Sequence, residues 1–132
     1  MKKLLLLALL LLWTTPALAT PRVAVLYFNN TDTSSTKLDM LRLGLAEMMI
    51  TDLSNSPDVT VVERSRLNEI LAELELQKTD AVDPGKAVQI GKLLGAERMV
   101  LGTYFEFLGK LTLIANVVEV QTGTTIGGHK VQ

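Results

Sequence analysis

The spacing of apolar positions along the chain changes several times, and each change marks an element. The switch is sharpest over residues 59–76, VTVVERSRLNEILAELEL. Val59, Thr60, Val61 and Val62 are β-branched, which predicts a short buried strand. Leu67, Ile70, Leu71 and Leu74 then recur at three- and four-residue spacing. With Glu69, Glu73 and Glu75 between them, they predict an amphipathic helix with a solvated acidic face. Glu63, Arg64 and Ser65 stand at the joint.

The same reading extends in both directions. Residues 22–28, RVAVLYF, are almost continuously apolar and predict a central strand covered on both faces. Residues 29–36 are small and polar and predict a loop at that strand's carboxyl end, where open α/β sheets place ligands. The loop lacks the glycines of a phosphate cradle, and a solvated connection is the simpler reading. Residues 37–54 predict a first helix, with Leu38, Leu41, Leu45, Met48, Met49 and Leu53 inward and Met40 also in the core. Gly44, costly in mid-helix, is expected to mark a close approach to the sheet.

Beyond the weakly periodic stretch 77–82, Asp83 and Pro84 form a helix start. The third helix runs to about Leu94, with Ala87, Ile90, Gly91 and Leu94 inward, and Gly95 ends it. Residues 96–107, 111–120 and 124–131 predict an antiparallel meander, its last strand weakened by Gly127 and Gly128. The expected fold class is α/β: one mixed sheet in the order β-α-β-α-α-β-β-β, with right-handed crossovers and helices on one or both faces.

Composition changes this picture mainly at the N-terminus. Of 132 residues, Lys2 and Lys3 precede a ten-residue apolar run, residues 4–13, followed by Pro16 and Ala17-Leu18-Ala19. This is the layout of a secretory signal peptide over residues 1–19, cleaved after Ala19, in preference to a retained anchor. The run falls short of the roughly 20 residues that span a bilayer. Residues 20–132 are then expected to form a single domain, soluble and without a transmembrane segment. Without Lys2 and Lys3, 11 basic residues face 14 acidic ones, a net charge of −3. That balance, with no basic run, speaks against nucleic acid as a partner. There is no cysteine, which excludes disulfides, thiolate metal sites, cysteine nucleophiles and lipid attachment at a cysteine. An exported domain of this kind reads as bacterial and periplasmic.

Candidate chemistry is sparse. His129 is the single histidine, no GxSxG precedes a helix, and Asp80 and Asp83 lack the alternating ligands of a calcium loop. No catalytic residue, metal or cofactor is therefore expected, and no enzymatic activity. Two polar groups remain. Glu63, Arg64 and Arg66 at the joint suit a docking or subunit contact, or simply a helix cap with a surface ion pair. Asn29 and Asn30 head the loop where a small ligand would sit. The edge at residues 124–131 can accept a further strand, although a frayed end is the simpler reading.

Five segments in order carry a family resemblance: RVAVLYF (22–28), GLAEMMITDLS (44–54), VTVVERSRLNEIL (59–71), IGKLLGAERMVLGTY (90–104) and LIANVVEVQTGTTI (113–126). Together they resemble the CsgG-type family, known for the outer-membrane secretion channel of curli, and are also similar to the N-terminal domain of TolB. The resemblance implies a periplasmic α/β domain, in some members associated with the outer membrane. Such a domain assembles with copies of itself or with cell-envelope proteins and has no enzymatic activity. Channel members carry a lipid-modified cysteine and a long membrane hairpin between the strands that here are 96–107 and 111–120, and they continue beyond the position of Gln132. In this chain only Leu108, Gly109 and Lys110 join those strands, whereas one membrane strand takes about 9–11 residues. The expectation is an exported accessory or assembly module of a curli-type secretion system, acting through protein contacts and not as a pore. The alternative is a periplasmic small-ligand-binding or sensory domain using residues 29–36.

Overall fold

The computed structural model describes residues 19–32, 36–76 and 83–132. Except for Ala19, the expected signal peptide lies outside them, as does the stretch 77–82. The strands are β1 (Arg22–Val25), β2 (Asn29–Asn30), β3 (Thr60–Val61), β4 (Arg98–Phe107), β5 (Lys110–Glu119) and β6 (Thr125–Val131). The α-helices are α1 (Leu41–Ser54), α2 (Arg64–Glu73) and α3 (Pro84–Leu94), with a 3-10 turn at Thr36–Leu38. The sheet runs β3-β1-β4-β5-β6, and β2 pairs with β4 beyond the end of β1. β1 is parallel to both neighbours, whereas β4, β5 and β6 form the expected antiparallel meander.

The predicted first strand is central but not continuous. Val25 pairs with Val100 and Asn29 with Thr103, so four steps on one strand match three on the other. Side chains alternate along a strand, so one extra residue changes which face the following ones reach. Leu26 and Tyr27 both pack toward α2 and α3, and Phe28 returns to the α1 side. The backbone is held through this offset: Leu26 N–H donates to the Val100 carbonyl at 3.0 Å and Phe28 N–H to the Arg42 carbonyl at 3.3 Å. The Phe28 ring lies flat on Gly102, where a Cβ would come within 2.5 Å of ring carbons. Only glycine leaves that room. The close approach expected at Gly44 is absent, since a Cβ there meets open space.

Helices cover both faces. Leu67, Ile70 and Leu71 of α2 join Ala87, Ile90 and Leu94 of α3 over Ala24, Leu26, Met99 and Val118. The Asp83 side chain caps α3 by accepting from Gly85 N–H at 3.0 Å, and Gly95 ends the helix as the sequence predicts. On the other face α1 works alone. A helix about 10–12 Å across cannot cover five strands spaced about 4.8 Å apart. Leu113, Ala115 and Val117 of β5 are therefore only half-buried, and every residue of β6 is exposed. Met48 and Met40, expected in the core, are 65% and 82% exposed on the rim of this single helix. β6 is nevertheless a seven-residue strand paired along β5, with a register shift at Ile126, and not a frayed end.

Phe107 pairs with Lys110, which leaves a two-residue turn with φ of 52° at Leu108 and 74° at Gly109. Two positive φ values make this a type I′ turn, for which Asn-Gly is the comfortable sequence. Leucine in the left-handed region costs about 1–2 kcal/mol.

Candidate functional site

The two polar groups singled out in the sequence lie at the same end of the sheet, around the carboxyl end of β1, and the structure uses them differently. Arg64, in the first turn of α2, turns inward. Its Nη1 donates to the Val25 carbonyl at 2.9 Å, its Nε to Glu47 Oε1 of α1 at 2.9 Å, and its Cζ stands 4.5 Å from the centre of the Tyr27 ring. The Tyr27 hydroxyl donates in turn to Asn68 Oδ1 at 2.7 Å, one helical turn further along α2. The offset after Val25 is what brings Tyr27 under the guanidinium.

A cation in the first turn of a helix opposes the helix dipole, and α2 has no acid in that turn. Glu47, from the opposite layer, supplies the compensating charge. The Arg64 side chain is only 15% exposed, and its Nη2 is buried without a hydrogen-bond partner among the described residues. The Tyr27 ring face offsets part of that deficit. Arg64 is thus a brace between the two helical layers.

Its neighbours remain on the surface. Glu63 holds the N-cap position of α2 with extended backbone and is exposed, but its side chain makes no capping hydrogen bond. Arg66 pairs with Glu69 at 2.9 Å in a half-exposed i,i+3 pair that contributes under ~1 kcal/mol. Glu63 and Arg66 stay on the surface, whereas Arg64 is occupied within the fold.

Asn29 and Asn30, expected in a loop, form β2 against Thr103 and Tyr104. The Asn30 amide donates to Asp39 Oδ1 at 3.1 Å, and its Oδ1 accepts from Asp32 N–H at 3.0 Å. Thr31 N–H donates to the Tyr104 carbonyl at 2.9 Å, so the start of the connection is pinned to β4; residues 33–35 lie outside the described set. Tyr104 is fully buried and donates its hydroxyl to the Leu38 carbonyl at 2.7 Å. Burial pushes its pKa above the ordinary tyrosine value of 10.0; Arg42 beside it works in the opposite direction, and Asp39 adds to the rise. Pairs such as Tyr27–Asn68 and Tyr104–Leu38 join residues far apart in sequence, and no periodicity announces them.

Among the described residues no cluster of three or more histidine, aspartate or glutamate side chains is placed to hold a metal ion. Among them, too, no helix is long and apolar enough to cross a membrane.

Comparison with known proteins gives a consistent picture. The family model described as curli production assembly/transport component CsgG matches residues 11–113. No curated protein sequence matches. Among solved structures, the C-terminal domain of LpoB from Salmonella enterica has a TM-score of 0.70 at 23% identity, over 86% of this chain and 82% of that one. The lipoprotein GNA1162 from Neisseria meningitidis has a TM-score of 0.64 at 14% identity, over 84% and 80%. TolB from Acinetobacter baumannii has a TM-score of 0.53 at 16% identity, over 86% of this chain but 23% of that longer one. At these identities the likeness is one of fold.

Two outcomes are expected for the site. Arg64→Ala should lower unfolding stability by about 1–3 kcal/mol, because it strands the Val25 carbonyl and Glu47. Arg64→Lys should recover only part of this, since an ammonium cannot fork between carbonyl and carboxylate while stacking on a ring; full recovery in denaturant titration would contradict the brace. Tyr104→Phe should cost about 1 kcal/mol at neutral pH. With the folded-state pKa raised, the unfolded tyrosine ionises first, so wild-type stability should fall as pH rises above about 10. The deficit of Tyr104→Phe should therefore shrink there, and a deficit constant with pH would refute it.

Proposed function

The chain belongs to the CsgG family, and from that membership we propose that it is a non-enzymatic accessory or assembly module of the bacterial cell envelope. In this reading it serves a curli-type or related outer-membrane secretion system from the periplasmic side and acts through protein contacts. The observation that carries the proposal is the family match over residues 11–113. Surface composition supports it: Met40, Leu43, Met48, Phe107, Leu108, Ile126 and Val131 are large apolar side chains left exposed, and such surfaces commonly mark protein contacts. The four-residue pairing from Phe107 to Lys110 supports a role other than pore formation, because it holds no membrane-length strands. A ligand-binding role for the loop has less support, because Asn30 spends both ends of its amide on Asp39 and Asp32.

A photo-crosslinking residue at Met40 or Ile126, introduced in the bacterium that makes the protein, should give a discrete crosslink to a cell-envelope protein. The same residue at Lys92, on the helix of the other face, serves as the comparison. Recovery of only the uncrosslinked chain from the envelope fraction would sink the proposal.

A further inference from the structure

The strip of sheet beside α1 gathers donor atoms of a kind that the lack of cysteine does not exclude. Between α1 and β6 lies a hollow of about 440 Å³. Met48, Met49 and Asp52 of α1 line one side of it and His129 of β6 the other, with Leu113 and Ala115 as the floor. A second hollow of about 290 Å³ shares Met49, Ala115 and His129. His129 is the single histidine of the chain.

Local geometry brings these groups to one space. Residues three and four apart on a helix share a face, so Met48 and Met49 both neighbour Asp52. Ala115 packs on the α1 side and pairs with His129, which puts the imidazole on that side of β6. Gly127 and Gly128 precede it and add no side chain to crowd the ring. Packing does not account for Met48, which is 65% exposed. Its three rotatable bonds leave the sulfur able to turn toward His129.

Two thioethers and an imidazole form a soft, uncharged donor set. Thioethers select Cu(I), and imidazole also ligates copper, whereas magnesium and calcium take oxygen donors. For Zn(II) the same hollow supplies one imidazole and one carboxylate, too few for a four-coordinate site. Three neutral donors leave the single positive charge of a monovalent ion unbalanced, and the Asp52 carboxylate offsets it. We propose that Met48, Met49 and His129 hold one soft monovalent cation, Cu(I) or its analogue Ag(I), between α1 and β6. The bound ion ties the exposed end strand to the helix and so stabilises the folded chain. This site and the protein-contact reading above rest on different observations, and either can fail alone.

Titration calorimetry of the purified protein with Ag(I) in chloride-free buffer tests it, together with anaerobic competition against bicinchoninate for Cu(I). Wild type should take up one equivalent and melt at a higher temperature when loaded. In methionine-methyl NMR spectra the Met48 and Met49 signals should move on loading, while those of Met40 and Met99 stay in place. Met48→Leu and His129→Gln change exposed side chains. Each should weaken binding about tenfold or more while circular dichroism stays native. Met40→Leu, which removes an exposed methionine elsewhere, should leave binding unchanged, and Zn(II) should bind more weakly than Ag(I). The site is overturned by the absence of saturable uptake, by uptake unchanged in Met48→Leu or His129→Gln, by an equal loss in Met40→Leu, or by Zn(II) binding as tightly as Ag(I).

Discussion

The fold depends on a register offset after Val25. One extra residue in the first strand, matched by the flat seat of Phe28 on Gly102, decides which side chains reach which helical layer. Leu26 and Tyr27 go to α2 and α3, and Phe28 goes to α1. From this follow the position of Tyr27 under Arg64, the Phe28 N–H bond to the first turn of α1, and the re-entry of the chain as β2 beside Tyr104. Without the offset, a strand with a period of two would place Tyr27 and Phe28 on each other's faces, and neither the brace nor the glycine seat would form.

The offset also separates the polar groups into those the fold uses and those it leaves outside. Arg64, Glu47 and Tyr27 tie the two helical layers together across the sheet end, and Tyr104 does the same for the segment leading into α1. The large apolar side chains left exposed lie mostly in and just before α1, at the β4–β5 turn and in β6, with Leu93 on α3, and none is at the arginine-bearing joint. A domain with two helices on one face and one on the other leaves a strip of the sheet uncovered for geometric reasons.

Much of the architecture is legible in the sequence because its signals are local. The valine run followed by the leucine spacing gives β3 and α2, and Asp83-Pro84 with Gly95 brackets α3. Alternation with glycine turns gives the meander. The misreadings share one cause, which is that the deciding partner is remote. Gly44 was expected at a close approach because mid-helix glycine is costly, yet the tight seat belongs to Gly102, whose partner Phe28 is 74 positions earlier. Met40 and Met48 fit a helical face, but the sheet beneath is wider than the helix. Arg64 reads as a surface charge until the Val25 carbonyl and Glu47 are brought to it. Leu108 was legible as part of a tight turn; its exposure and backbone conformation emerge only once Phe107 and Lys110 are paired.

The most direct test of the central constraint is the coupling between Gly102 and Phe28, measured by denaturant unfolding. Gly102→Ala should cost about 1–3 kcal/mol, because a buried ring cannot move from a new Cβ. In a Phe28→Leu background the same change should cost at least about 0.5 kcal/mol less. A Gly102→Ala protein as stable as wild type, or one whose loss is unchanged by Phe28→Leu, would contradict the account.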